Sequence, residues 1–447
     1  METINNKPNV LLVIPRYFST KVCGYIMPLG ILYVSAALKA SGAANVFTIN
    51  LNHQEETDEC ILSRVINENN IHIVGSGGIS GQFIEIFPLM KLVKQIAPNV
   101  VTIVGGGMVT ADAIPAMEAF ENLVDFGVIG EGEKTVVELI EAIHYNLPKC
   151  NINGIIYRNK QGWTITNRRE DEMDLDSLPL PDYAGFDYEK YLETNGEIEK
   201  NIKYSPVAIV GGRSCKYNCT FCFHPSGSRY RQRSLNSIFA EIDYLLSHYK
   251  VNYIALREEL FASDEQRVLD FCERIKHYPL LWSIQLRVDS VSEKMVKALK
   301  DSNCRYVFLG IESADNLILK SMRKNITIEQ VERALDMTIG AGLDTRSTII
   351  LGDAVETVES AYRTIEWWLK HKKFSSIVMD MIIAFPGSVL YKNARKNGRI
   401  PDPVKFLRDG CPVINLSTEM SDEEYLKLVD DVSKYNLIKY NVYNYKS

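Results

Sequence analysis

Three cysteines lie close together in the stretch VGGRSCKYNCTFCFHPSG, where they form a C-x3-C-x2-C motif. Cys215, Cys219 and Cys222 share one short loop that follows an apolar, strand-like run. Three thiolates on one tight loop can ligate three irons of an iron–sulfur cubane, and the fourth cysteine of an electron-transfer ferredoxin does not follow nearby. The spacing therefore predicts a [4Fe-4S] cluster with one iron open to another ligand.

A structural zinc site is the alternative for the same loop, because His224 stands shortly after Cys222 and could supply a fourth ligand. Zinc sites usually combine two short motifs that are distant in the sequence, whereas these thiols share one loop, so we prefer the cluster. The remaining cysteines are scattered and are interpreted as buried or idle thiols: Cys23, Cys60, Cys150, Cys272, Cys304 and Cys411.

The composition is that of a globular protein with two large domains and an appendage, since the chain has 447 residues. A net charge of -6 without a long basic block argues against a nucleic-acid partner and favours a small-molecule or peptide substrate. Mean hydropathy is -0.10, and no segment approaches the roughly 18 apolar residues of a membrane span. The start lacks the pattern of a secretory signal, and the cysteine count is odd, so we expect a cytoplasmic protein.

The hydrophobic pattern predicts an α/β fold in which both halves alternate apolar strands with amphipathic helices. We expect a Rossmann-like domain over residues 1–148 and a linker with a hairpin over 149–203. A partial (β/α)6 barrel follows over 204–385, and a small helical cap over 386–447. Continuous apolar strands belong to parallel sheets covered by helices, whose ligands bind at the carboxyl ends of the strands.

Glycines mark three successive strand ends in the first half: Gly75, Gly77 and Gly78; Gly105, Gly106 and Gly107; and Gly130 and Gly132. They leave room for a bulky ligand and offer backbone donors to it. In the second half, the apolar run YVFLGI ends on Glu312, where a barrel presents ligand-binding groups. A carboxylate there can bind ribose hydroxyls; a solvated strand-end acid is the alternative.

These segments together resemble the radical S-adenosylmethionine (SAM) enzymes that carry a cobalamin-binding domain, the class B methyltransferase type. The resemblance rests on the cysteine loop, the stretch from LRVDS through GIES, the PLG helix start and VDFGVIGEGEKTVVEL. It implies a cluster, SAM and cobalamin as cofactors, and an electron donor such as flavodoxin or ferredoxin. LREELF and LGDAVET depart from the family pattern, and Met108 stands where the family often has histidine.

The resemblance also implies roles for individual residues. Phe221 would pack beside the cluster and adenine. The SAM pocket would contain Glu258, Arg287, Glu312, Ser313 and Gly352, although Glu258 could simply be exposed and Arg287 could serve a structural ion pair. The cobalamin site would contain Leu29, Gly30, Ser76, Gly77, Gly78, Gln82, Gly105, Gly106, Gly107, Gly130, Glu131 and Gly132.

The D-x-H-x-x-G loop, whose histidine binds cobalt from below in other cobalamin proteins, does not occur here. His53 and His72 lie in another context, so we expect base-off cobalamin without a histidine ligand; a domain that has lost cobalamin is the alternative.

The resemblance implies methyl transfer to an unactivated carbon or phosphorus centre by way of a 5'-deoxyadenosyl radical and methylcobalamin. A radical cyclisation or rearrangement, an RNA methylthiotransferase and a noncatalytic cobalamin-binding protein remain alternatives. The segment DPVKFLRDGCPVINLS either closes over the barrel mouth or serves as a plain packing cap. The substrate cannot be chosen from the sequence.

Overall fold

The protein is described by a computed structural model, which covers residues 7–17, 25–199, 202–204, 206–227, 229–373, 375–437 and 440–442. Cys23 lies outside the described residues. None of the helices in the described ranges is both long and apolar enough to cross a membrane.

The first domain is a seven-stranded sheet with the order β2-β1-β3-β4-β5-β6-β7. Its strands are β1 (Asn9–Ile14), β2 (Asn45–Asn50), β3 (Ile73–Gly77), β4 (Val101–Gly105), β5 (Phe126–Val128), β6 (Ile155–Asn159) and β7 (Gly162–Ile165). Its helices are α1 (Leu29–Ser41), α2 (Asp58–Glu68), α3 (Phe83–Ile96), α4 (Gly107–Ala111), α5 (Ala113–Ala119) and α6 (Gly132–His144). The first five strands are parallel, and the chain reverses its winding at β1, which lies between β2 and β3. Such a switch point opens a crevice at the carboxyl ends of the strands.

The hairpin that the sequence pattern places in the linker extends this sheet instead. β5 pairs antiparallel with β6, and β6 with β7. The pairing covers the edge of β5, and Ile155 and Ile156 are buried there. The rest of the linker contains β8 (Glu197–Glu199), β9 (Ile202–Tyr204) and α7 (Tyr188–Thr194).

The second domain is a six-stranded parallel sheet with the order β10-β13-β14-β15-β16-β17, in agreement with the predicted partial barrel. Its strands are β10 (Val207–Ile209), β13 (Tyr253–Leu256), β14 (Leu281–Arg287), β15 (Cys304–Glu312), β16 (Asp344–Leu351) and β17 (Ser376–Met381). A ribbon of β11 (Gly212–Arg213) and β12 (Arg231–Gln232) stands apart from it. The helices between the strands are α8 (Leu235–His248), α9 (Glu265–Ile275), α10 (Glu293–Asp301), α11 (Asn316–Ser321), α12 (Ile328–Gly340) and α13 (Val358–His371).

These helices form because each has an apolar stripe and a side-chain cap. In α10, Ser292 accepts a hydrogen bond from the Met295 amide, and Met295, Val296 and Leu299 face the core. The strands that they cover are apolar, as in the fully buried β10, whose carboxyl end leads into the cysteine loop, and Arg287 at the end of β14 lies over Tyr217 of that loop.

The C-terminal segment contains α14 (Val389–Lys396), α15 (Pro403–Arg408) and α16 (Asp422–Asn436). α15 packs against α5 and α3 of the first domain, where the Arg408 guanidinium donates to the Ala119 carbonyl. α16 packs against α13 and β17 of the second domain. The segment thus connects the two domains, and α15 itself lies on the first domain.

Candidate functional site

The cysteine motif lies on a loop of residues 214–227, here called the cluster loop, which the β11–β12 ribbon closes at its base. The backbone of Thr220 anchors the loop on both sides: its amide donates to the Met322 carbonyl at 3.0 Å, and its carbonyl accepts from the Leu390 amide at 3.0 Å. Cys215 and Cys219 are half-buried and Cys222 is exposed, and all three are free thiols. The loop therefore presents the three sulfurs at one end of the second sheet.

The donor set fits an iron–sulfur cluster. Desolvation by the surrounding protein raises the pKa of all three thiols, although part of the Cys222 surface is exposed, and neighbouring thiols raise the pKa of Cys215 and Cys222 further. Iron must therefore displace protons that the thiols hold firmly. Nearby Lys324 opposes this effect at Cys219 and Cys222, because a positive charge favours the thiolate.

The zinc alternative finds no support in the geometry. Both ring nitrogens of His224 are engaged elsewhere: Nδ1 with the Glu259 carboxylate and Nε2 with the Tyr217 carbonyl at 3.2 Å. Among the described residues, no three histidine, cysteine or acidic side chains are placed to hold a single metal ion. His224 thus joins the cluster loop to Glu259, the residue that follows Glu258.

Several predicted SAM-pocket residues gather beside the cluster loop. Glu312 ends β15 with φ of +71°, and its carboxylate lies 2.6 Å from the Lys324 ammonium, with both residues buried. Lys324 also lies 6.0 Å from the centre of the Phe221 ring. Arg287 makes a double contact with Asp289 at 2.9 and 3.0 Å, and stacks 3.7 Å above the Tyr217 ring of the loop. The sequence did not single out Lys324, because it lies in a turn without a motif.

Other predicted SAM-pocket residues are engaged in the protein framework. Glu258 is buried under Gly211, whose amide donates to it at 3.1 Å, and burial raises the Glu258 pKa to about 7. Ser313 is fully buried and accepts a hydrogen bond from the Asp315 amide at 3.1 Å. Gly352 has φ of +105° and turns the chain after β16. No hydrogen bond between described residues joins these three to the cluster loop, so their role at SAM stays a prediction.

A cavity of about 450 Å³ opens at the carboxyl ends of the first sheet. It extends between the sheet and helices α1 and α6, where Leu12, Ile73, Val136 and Ile140 form apolar walls. Every residue that we predict at the cobalamin site lines it: Leu29, Gly30, Ser76, Gly77, Gly78, Gln82, Gly105, Gly106, Gly107, Gly130, Glu131 and Gly132.

The glycines of the cavity have two different functions. A Cβ on Gly77 would lie 2.8 Å from the Gly105 carbonyl oxygen, and one on Gly106 would lie 2.7 Å from that of Gly78, so these glycines allow neighbouring strand ends to meet. Within the part of the chain that the structure describes, Gly30 and Gly130 have no atom within 4 Å of a Cβ, so they border open space there. The cradle therefore fits a bulky ligand, because the backbone approaches closely and no side chain of the described residues fills the mouth.

No histidine lines the cavity among the described residues. His53 is buried against Tyr25, whose hydroxyl lies 2.9 Å from Nε2, and burial lowers the His53 pKa to about 4. His72 lies at the opposite end of β3, where Nδ1 accepts from the Asn9 amide at 3.0 Å. Met108 is buried and its amide donates to the Gly78 carbonyl at 3.0 Å.

The far wall of the cavity belongs to the second domain and includes Val210, Arg213, Pro225 and Ser226. Arg213 binds Glu131 at 2.9 Å and also pairs with Glu133, which is buried. Arg213 and Glu133 escaped the sequence analysis because they are about 80 residues apart and neither belongs to a recognisable motif. The cavity and the cluster loop therefore face each other across one domain interface.

Comparison with known proteins agrees with both sites. The family model for the radical SAM superfamily matches residues 209–368, and the model for the B12 binding domain matches residues 16–140. An uncharacterized methyltransferase of Pyrococcus horikoshii is 28% identical over 400 residues, which is 87% of this chain and 83% of that protein. The anaerobic magnesium-protoporphyrin IX monomethyl ester cyclase of Rubrivivax gelatinosus is 27% identical over 80% of this chain and 66% of its own.

The fold is also that of the radical SAM methyltransferase TsrM from Kitasatospora setae, solved with cobalamin and a [4Fe-4S] cluster. The TM-score is 0.76 over 97% of this chain and 91% of that one, at 17% identity. The chain is therefore a radical SAM enzyme of the family that carries an N-terminal cobalamin-binding domain.

Proposed function

We propose that the protein is a cobalamin-dependent radical SAM methyltransferase that acts on an unactivated carbon or phosphorus centre. One observation carries the proposal: the cavity of the first domain is closed by Val210, which precedes the cluster loop, and by Pro225, which belongs to it. Two cofactor sites that share a wall suit a reaction that uses both cofactors on one substrate, because distance limits group transfer.

The cofactors would supply a 5'-deoxyadenosyl radical and a methyl group for transfer, and the protein would supply position and shelter from water. The three cluster-loop cysteines would hold the cluster, with Phe221 packed against it. The buried pair of Lys324 and Glu312 offers an ammonium and a carboxylate to the polar groups of SAM beside the cluster. The exposed surface of Cys222 leaves the loop accessible to a one-electron donor, for which we propose a flavodoxin or ferredoxin.

We propose that cobalamin binds base-off, without a histidine ligand. The support is the shape of the cavity, which continues between the sheet and α1 and α6 and can take the nucleotide tail. The substrate would be a small molecule or peptide held between the two domains. We propose a cytoplasmic location, because an open cluster and free thiols require a reducing compartment.

A radical cyclase is the second candidate. The relative from Rubrivivax gelatinosus, named as a cyclase, matches this chain with nearly the same identity as the relative named as a methyltransferase. The two functions share cofactors and differ in whether the methyl group of SAM reaches the product.

The test begins with anaerobic reconstitution using iron, sulfide and hydroxocobalamin, followed by desalting and a visible spectrum. We expect corrin bands beside the broad iron–sulfur absorption, and 5'-deoxyadenosine after reduction with SAM. Iron–sulfur absorption without corrin would contradict the proposal. With SAM that carries a deuterated methyl group, label in a product supports the methyltransferase, whereas an unlabelled product supports the cyclase.

A further inference from the structure

Glu131 belongs to the cavity wall, but both oxygens of its carboxylate already accept hydrogen bonds from other protein groups. Oε1 accepts from the guanidinium groups of Arg213 at 2.9 Å and Arg231 at 2.8 Å, and Oε2 accepts from the Glu172 amide at 2.8 Å. The side chains are about nine-tenths buried or more, with exposed fractions of 10% for Glu131, 11% for Arg213 and 2% for Arg231. The carboxylate therefore joins the first domain, the linker and the base of the cluster loop.

The two arginines need this carboxylate. Arg213 and Arg231 are directly paired in the antiparallel ribbon that closes the cluster loop. Like charges opposite each other in a ribbon repel, and burial strengthens the repulsion. Glu133 offers Arg213 a second carboxylate, but the other acceptors of Arg231 are backbone carbonyls, including that of Glu172 at 2.8 Å. Among the described residues, Glu131 is thus the one side chain bound to both arginines.

We propose that Glu131 is a positioning residue that fixes the cluster loop against the cobalamin cavity, and so sets the separation between the two cofactors. This inference rests on the proposed function, because it concerns a cavity that holds cobalamin. Its physical basis is that Gly130 and Gly132 on either side of Glu131 line the cavity mouth, while Arg213 ends the first strand of the ribbon and Arg231 begins the second, where the cluster loop leaves and returns. A movement of the loop base must therefore break buried ion pairs.

The first experiment measures hydrogen–deuterium exchange of the cofactor-free chain. Glu131→Gln keeps the shape of the side chain and removes its charge. Removing one partner from a buried ion pair is costly, so we expect exchange of the ribbon amides to rise about 100-fold, with no change in β14 and β15. Glu138→Gln is the matched control, because Glu138 is on the same helix and pairs with Arg169 at the surface. Unchanged ribbon exchange in Glu131→Gln would overturn the proposal.

The second experiment separates positioning from direct contact with the corrin. Arg231 does not line the cavity, so Arg231→Gln disturbs the buried ion pair with Glu131 without touching the ligand. We expect wild-type iron and corrin content in both variants, together with a weakened magnetic interaction between cob(II)alamin and the reduced cluster in electron paramagnetic resonance. Loss of corrin from Glu131→Gln with a normal Arg231→Gln would instead make Glu131 a corrin contact and overturn the proposal. A wild-type protein that retains no corrin would refute the proposed function. The hydrogen–deuterium exchange result would still decide whether Glu131 holds the ribbon in place.

Discussion

Filling the mouth of the cavity at Gly30 is the most direct test of where the corrin binds. Gly30 lies in the first turn of α1, is exposed and lines the cavity, and no atom of the described residues lies within 4 Å of the position of a Cβ. Gly30→Trp should therefore fold normally and place an indole in the opening. Gly30→Ala adds only a methyl group and should stabilise the helix by about 0.5–1 kcal/mol.

The magnitude follows from the surface that the indole covers. A tryptophan buries about 150–250 Å², worth roughly 4–6 kcal/mol at about 25 cal/mol per Å². Because Gly30 is at the mouth, the indole there is only partly buried, and we take about half of this free energy. The cost of displacing the indole when the corrin enters is then about 2–3 kcal/mol. Since about 1.4 kcal/mol corresponds to a tenfold change in the dissociation constant, the affinity for hydroxocobalamin should fall about 30- to 100-fold.

The assay is equilibrium titration with hydroxocobalamin followed by its visible absorption, with thermal unfolding of the cofactor-free variants as the check on folding. Gly340→Trp is the matched control, since Gly340 also has open space around a Cβ but ends α12 in the second domain. Wild-type affinity in Gly30→Trp, or an equal loss in Gly340→Trp, would refute the assignment of the cavity.

Three further predictions concern the second domain. Each single Cys→Ala substitution in the cluster loop should abolish iron–sulfur absorption and 5'-deoxyadenosine formation but leave corrin binding intact; SAM cleavage in all three variants would contradict the cluster. Lys324→Met should lower the free energy of unfolding by about 3–5 kcal/mol, because it leaves Glu312 buried without a partner, and adding Glu312→Gln should restore most of the lost stability. Denaturant titration measures the stability of both variants. Wild-type stability of the single variant would contradict the pairing. Burial raises the Glu356 pKa to about 7, above its unfolded value, so its protonated form stabilises the fold at low pH and this contribution is lost as pH rises from about 4.5 to about 7. Between about pH 5 and pH 8, the free energy of unfolding should therefore fall less in Glu356→Gln than in the wild type, with a difference of about 2–3 kcal/mol at most. Parallel pH profiles of thermal stability in the two proteins would contradict the raised pKa.

Features that short segments encode follow from the amino-acid sequence alone. Three cysteines within eight residues must share a loop, whatever the rest of the chain does, and alternating apolar runs must form covered parallel strands. Glycines at successive strand ends converge for the same reason, because parallel strands end on one edge of the sheet. The predicted α/β class, the radical SAM half and the cobalamin-binding half all follow from such local patterns.

Which side chains meet across long separations in the sequence depends instead on how the two domains pack. Glu131 and Arg231 are 100 residues apart and no motif relates them, so their contact exists only once both domains are packed. The same holds for His224, which looks like a zinc ligand in the sequence but is held by Glu259. The hairpin joins the first sheet because β5 offers it an open edge, a fact of topology that strand propensity does not contain. Local spacing specifies the cofactor loops, whereas burial and packing determine the ion pairs that set them against each other.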